Sequence, residues 1–157
     1  MENTKTKILA EIMEQLVHLV NKFNRFEKVP MDFGVEERLF PSEIHTIEAI
    51  GKSNWINVTQ LSETLGVTKG AVSQMIGKLA KKSFVKKIKI HPDGKETFLK
   101  LTAKGKRALQ GHEQFHREIY LDFLKYTGNI SAKDFRKFKD ILTKIEIHLD
   151  LYSDKLV

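Results

Sequence analysis

The stretch from Asn57 to Lys82, NVTQLSETLGVTKGAVSQMIGKLAKK, leaves this chain few architectures. It holds two helix starts with one turn between them. Asn57 can cap a first helix, and Gln60 three residues on can reach back to it, the reciprocal arrangement of a capping box. Leu61 and Leu65 share a face one turn apart, and Gly66 stands where a helix ends in a left-handed residue. Thr68 then caps a second helix, in which Ala71, Val72, Met75, Ile76 and Leu79 recur at helical spacing. The opposite face carries Lys69, Ser73, Gln74, Lys78, Lys81 and Lys82. Two short helices joined by a glycine-containing turn, the second polar and basic outside, read as a helix-turn-helix, whose second helix commonly enters a DNA major groove. The plainer reading of the same residues is a helical hairpin with a solvated lysine face.

The segment C-terminal to Lys82 favours the first reading. Phe84 to Ile90 (FVKKIKI) is strand-like, His91-Pro92-Asp93-Gly94 is turn chemistry, and Glu96 to Leu101 is a second strand-like run. A helix-turn-helix succeeded by a hairpin is a winged helix. Lys87 and Lys89 alternate with Ile88 and Ile90, so the first strand is expected to have one basic and one apolar face. Charge is segregated in the same place. Between Thr68 and Arg107 twelve lysines and arginines face only Asp93 and Glu96, a net of +10 in a chain of net charge +7, which leaves −3 for the remainder. A basic block coinciding with the second helix and the wing is the electrostatic footprint of DNA binding.

These residues resemble the MarR family of transcriptional regulators. The resemblance is carried by Pro41-Ser42-Glu43 opening a helix, Leu61 with Leu65-Gly66-Val67, Ala71-Val72-Ser73, Leu79-Ala80-Lys81-Lys82 before the wing, and Leu101-Thr102-Ala103-Lys104-Gly105 after it. It implies two winged helices hanging below a helical dimerisation region. The family's Asp-x-Arg at the wing is here Asp93-Gly94-Lys95, and lysine keeps the charge without the planar fork. Thr68, Lys69, Gly70, Ser73, Gln74 and Lys78 are expected to face the groove, with Lys87, Lys89 and Lys95 of the wing beside them. Gln74 is the best candidate base reader, because its amide can pair with adenine.

The flanks are helical. Ile8, Ile12, Leu16, Leu19, Phe23 and Phe26 mark an amphipathic helix from Thr4 to Phe26. Val29 to Leu39, with Pro30 and Gly34, should be a loop, and Ser42 is expected to cap the helix that ends at Gly51. After the wing Thr102 caps a long helix whose buried side is marked by Leu109, Phe115, Ile119 and Phe123. A last helix, opened by Ser131 and Asp134, carries Phe135, Phe138, Leu142, Ile145, Leu149 and Tyr152 in a heptad-like seam. The fold expected is mainly α with a small β-hairpin wing. Residues 1–157 form one domain, with 40–101 as the winged helix-turn-helix and 1–39 and 102–157 as the helical dimerisation part. A two-fold dimer buries the terminal apolar stripes most simply, and its partner is double-stranded DNA with a palindromic operator. No apolar run approaches a membrane span, and the polar start lacks a signal-peptide core, so a cytoplasmic protein is expected. With no cysteine, disulfides and thiol-based sensing are excluded.

His112-Glu113-Gln114-Phe115-His116 matches H-E-x-x-H, the zinc-hydrolase pattern with Glu113 as general base. No metzincin extension is present after it, and the helix already has a scaffold role, so no enzyme is expected. Likeness to the zinc-sensing branch of the same family implies another use. That branch's ligands, a Glu after the first helix, a His opening the second and two His early in the fifth, fall here on Glu27, His45, His112 and His116. One Glu and three His would saturate a regulatory zinc. The competing expectation is a small aromatic acid in a crevice lined by Phe23, Phe26, Phe33, Phe40 and Phe115. The function expected is a dimeric, sequence-specific repressor of transcription that responds to a metal or to a small organic ligand.

Overall fold

The computed structural model describes residues 2–53, 55–89 and 96–153. In chain order the elements are α1 (Glu2–Phe26), α2 (Pro41–Gly51), α3 (Val58–Leu65), α4 (Lys69–Lys81), β1 (Val85–Lys89), β2 (Thr97–Leu101), α5 (Ala103–Thr127) and α6 (Ala132–Ser153). The strands form one antiparallel hairpin, so the architecture is mainly helical with a β wing, as expected. The chain divides within α5 into two compact units, Met1–His116 and Arg117–Val157. Among the described residues no helix is long and apolar enough to cross a membrane.

Local chemistry sets the boundaries. Asn57 Oδ1 accepts from the Gln60 amide at 2.9 Å, and Gln60 Oε1 accepts from the Asn57 amide at 3.0 Å, so the capping box of α3 is closed on both sides. Gly66 ends α3 at φ +65°, where a Cβ would be strained. Thr68 Oγ1 accepts from the Ala71 amide at 3.2 Å and starts α4. Helix α2 starts differently from the expectation that Ser42 caps it. Phe40 is the cap residue, and its amide donates to the Glu43 carboxylate at 2.9 Å. Pro41 is the reason. A proline holds the preceding residue extended (Phe40 has φ −70°, ψ 152°) and fits the first helical position, where its missing N–H is not needed.

The core of the first unit lies among α2, α3, α4, the hairpin and the start of α5. Ile44, Ile47, Leu61, Ile76, Leu79, Phe84 and Leu99 are all at most 1% exposed. The segment before α3 joins the hairpin: the Leu99 amide donates to the Ile56 carbonyl at 2.8 Å, and Trp55 packs edge-on against Phe98. The buried side of α5 here is Gly105, Ala108 and His112. A Cβ on Gly105 would run into the Phe84 carbonyl, and one on Gly111 into the Phe33 carbonyl, so α5 lies directly on backbone at both places. Ile119 and Phe123, expected on the buried side, are 45% and 52% exposed. In the second unit the Ser131–Asp134 box closes as expected, with Ser131 Oγ donating to the Asp134 carboxylate at 2.6 Å. Phe138, Leu142, Leu149 and Tyr152 of the seam are exposed there.

Glu43 carries a charge in this core. Its side chain is 1% exposed, and its carboxylate accepts from Lys82 Nζ at 2.7 Å and lies 3.1 Å from Lys78 Nζ. Lys82, expected on the outer polar face of its helix, turns inward for this reason. Burial alone would raise the Glu43 pKa, but hydrogen bonds from Lys82, the Phe40 amide and Lys78 outweigh it and hold the carboxyl below the ordinary 4.5. A depressed carboxyl pKa contributes stability above the unfolded value and loses it as pH falls through the folded value. Glu43→Gln is therefore expected to destabilise the protein at pH 7 by about 1.5–3 kcal/mol, the range for hydrogen bonds to charged groups. Urea unfolding should show this gap narrowing below about pH 4 as the wild-type carboxyl protonates. A gap independent of pH would mean that the ion pairs do not stabilise the fold.

Candidate nucleic-acid interface and metal centre

Val72, Ile76 and Leu79 turn inward from α4, and this fixes which side faces out. Thr68, Lys69, Gly70, Ser73, Gln74 and Lys78 are all on the outward side and recur at helical spacing. Ala71, counted on the apolar side from its spacing, is exposed as well. Lys78 is 49% exposed, so it reaches solvent while its ammonium is held by Glu43 and stands 5.4 Å from the Phe40 ring centre. This face offers hydroxyl, amide and ammonium groups on a rigid helix, the chemistry that meets base edges and phosphates.

The wing departs from the expected division into a basic and an apolar face. Val85 pairs with Leu101, Lys87 with Leu99 and Lys89 with Thr97. Paired residues share a face, so Lys87 and Lys89 lie on the face that Val85, Leu99 and Leu101 bury. Only the base of β1 rests on the core, and the same face runs out into solvent at Lys87 and Lys89, both exposed. The other face is mixed too, with Lys86 opposite Lys100 and Ile88 opposite Phe98. Ile90 and Lys95 lie outside the described residues.

His45, His112 and His116 come together, each offering a ring nitrogen within 4.8 Å of the others. His45 is exposed on α2, His112 is buried on α5, and His116 is half-buried one turn further on. The Nε2 atoms of His112 and His116 are 2.9 Å apart, so at most one carries a proton on that side. Burial first, then the charge of His116, lowers the His112 pKa to about 4, which leaves it neutral and able to ligate at pH 7. Its buried Nδ1 has no hydrogen-bond partner among the described residues, and Glu48 Oε2 stands 3.9 Å away. Three imidazoles brought this close together fit a zinc ion, which takes nitrogen and carboxylate ligands.

Glu27 is not part of this group. It comes just after α1, its amide donating to the Phe23 carbonyl at 3.1 Å, and it lines, together with His45, a cavity of about 300 Å³ that Leu65, Val67, Val72 and Met75 also bound. Glu48 is the carboxylate beside His112, and the sequence held a signal for it: it lies three residues after His45, on the same face of a helix. Glu113 of the H-E-x-x-H pattern lines a cleft beside the hairpin instead of joining the histidines, so it does not stand where a metal-site base would. The expected aromatic crevice is not assembled either. Phe33 is core at 2% exposure, packed edge-on against Phe115 and His112, whereas Phe23 and Phe26 are 66% and 63% exposed.

Residues 39–97 match the MarR family. Over 149 residues the chain is 26% identical to YhjH of Bacillus subtilis (strain 168), an uncharacterized HTH-type transcriptional regulator, covering 87% of this chain and 85% of that protein. Its fold is similar to that of FabT of Streptococcus pneumoniae in complex with DNA, with a TM-score of 0.72 and 23% identity over 90% of this chain and 97% of that one. It is also similar to ZitR of Lactococcus lactis in complex with DNA, with a TM-score of 0.70 and 14% identity over 90% and 97% of the two chains. ZitR is described as a zinc-responsive MarR family member.

The exposed amide of Gln74 generates a direct test. Gln74→Ala is expected to weaken binding to a duplex selected by the wild-type protein by about 1–3 kcal/mol and to leave random duplex unaffected. Equal losses on both duplexes in a titration would exclude base reading by Gln74.

Proposed function

We propose that this chain, whose residues 39–97 match the MarR family, is a transcriptional regulator that works as a dimeric repressor, in which paired α4 helices read a palindromic operator and a metal at His45, His112 and His116 sets the DNA affinity. The observation that carries the first part is the exposed Thr68-to-Lys78 face of α4, inside a segment of net charge +10. Ser73 and Gln74 would read bases, and Lys69, Lys78, Lys87 and Lys89 would meet phosphates. Two such helices must sit about 34 Å apart, one turn of DNA, which requires a second copy. Exposed apolar side chains support that copy: Ile8, Ile12 and Phe23 on α1, and Phe138, Leu142 and Leu149 on α6, are 37–66% exposed in the single chain. A dimer seated on an operator excludes other proteins from the same DNA, the basis for reading it as a repressor.

The converging histidines support the second part. Zinc would supply a fixed positive centre that pulls three imidazoles to one point. His45 belongs to α2, two residues after the Glu43 that holds α4, while His112 and His116 belong to α5. Joining them would restrain α2 against α5 and thereby bias the placement of the reading helix. Glu48 is placed to complete the set or to orient His112. A second reading, an organic effector in place of metal, has the cavity of about 300 Å³ between His45 and the α3–α4 turn in its favour.

Zinc is expected to change operator affinity of the wild type by about 5- to 150-fold relative to chelator, and His116→Ala and His112→Ala to abolish the difference. Metal content measured on the same untagged samples should fall in step. Equal affinities in all conditions would sink the metal switch and leave the organic effector.

A further inference from the structure

Beside the wing, away from α4 and the histidines, the C-terminal turn of α2, the hairpin and the start of α5 enclose a cleft of about 560 Å³. Lys86, Lys100 and Lys106 line it over a floor of Ile50, Leu101 and Leu109. Its charge arrangement has no evident benefit to the fold. Lys86 and Lys100 are direct cross-strand partners, a like-charge pair that weakens a hairpin. Lys106 brings a third ammonium from α5.

Four lysines of this unit have carboxylate partners: Lys52 pairs with Glu48, Lys78 and Lys82 with Glu43, and Lys104 with Glu37. Among the described residues no carboxylate lies within ion-pair distance of Lys86, Lys100 or Lys106, although Glu113 lines the same cleft. Lys100 is held instead over the Trp55 ring, its Nζ 3.8 Å from the centroid. The floor is packed shut below: a Cβ on Gly51 would strike the side chains of Leu109 and Leu101. Three lysines lining one cleft over an apolar floor, with no carboxylate partner among the described residues and in a volume typical of small-ligand sites, suit a compact multiply charged anion with an apolar part.

We propose that this cleft binds a small organic phosphate, its dianionic headgroup held by Lys86, Lys100 and Lys106 and its apolar part resting on Ile50, Leu101 and Leu109. The site shares no residue with the helix that reads DNA or with the histidine cluster. An occupant would neutralise the repulsion across the hairpin and tie the wing to α5.

The chain carries its own reporter, because its one tryptophan is the ring on which Lys100 rests. Full-length protein titrated with phenyl phosphate at constant ionic strength should show a saturable change in tryptophan fluorescence. In Lys86→Ala/Lys106→Ala, which removes lysines without ion-pair partners among the described residues and should melt no lower than the wild type, the midpoint should rise by about tenfold or more. Inorganic phosphate should bind more weakly than phenyl phosphate, and phenol should give no change. A midpoint unchanged in the double variant would overturn the proposal, as would equal binding of inorganic and phenyl phosphate, which would leave the apolar floor unused. Displacement of the probe by any DNA duplex, with the double variant weakening duplex and probe alike, would also overturn it by making the cleft a contact for the DNA backbone.

Discussion

The arrangement of the winged-helix unit depends on one buried carboxylate. Glu43 is excluded from water, and an uncompensated charge there would be strongly destabilising. It is satisfied by the amide of Phe40 at the start of its own helix and by two lysines near the end of α4. One side chain thus caps α2 and clamps α4 to it. Rotating α4 would withdraw Lys78 and Lys82 together, expose Val72, Ile76 and Leu79, and leave the carboxylate unpaired. The outward face of Thr68, Ser73 and Gln74 results from that constraint, because only one rotation of the helix satisfies the charge and the apolar stripe at once.

Helix α2 is the element on which the other parts converge. Glu43 faces α4, while His45 and Glu48 face α5 and its histidines. Gly105, Ala108 and Gly111 let α5 approach closely enough for His112 to be buried against Phe33 and His45. Among the basic residues of this segment, Lys78, Lys82 and Lys104 are tied into the fold, Lys69 on α4 and Lys87 and Lys89 on β1 are exposed, and Lys86, Lys100 and Lys106 line the cleft behind the wing.

Much of this is legible in the sequence where the cause is local. The caps at Asn57 and Thr68, the left-handed Gly66, the hairpin and the Ser131–Asp134 box rest on interactions that their own spacing announces, and all of them form. Long-range pairing is not legible. Nothing in the spacing of Lys82 indicates that a carboxylate thirty-nine positions earlier draws it inward. The alternation in β1 separates two faces, but where the core ends beneath a strand depends on tertiary packing, and Lys87 lies just beyond it. Among the metal candidates the two histidines one turn apart on α5 and the histidine on α2 are legible, because helical spacing and the resemblance both mark them. Glu48 carries a weaker signal, its place three residues after His45 on the same helix face, but the resemblance points instead to the loop carboxylate Glu27, and only the fold brings Glu48 up to His112. Ile119, Phe123 and the α6 seam read as buried because periodicity reports an apolar face without saying whether the same chain or a second copy covers it.

The central claim is that α4, held by Glu43, enters the major groove with Ser73 and Gln74 against the bases. The chain has no cysteine, so a single introduced thiol reports from one place alone. Ser73→Cys and, as a remote control, Gln15→Cys can each be presented with a duplex that the wild-type protein has selected from a random library, carrying a disulfide-activated tether on one base in the major groove. Rapid cross-linking through residue 73 at one base position per half-site, with none through residue 15, is the predicted result. Cross-linking through residue 15, or none through residue 73 while the duplex stays tightly bound, would contradict the account.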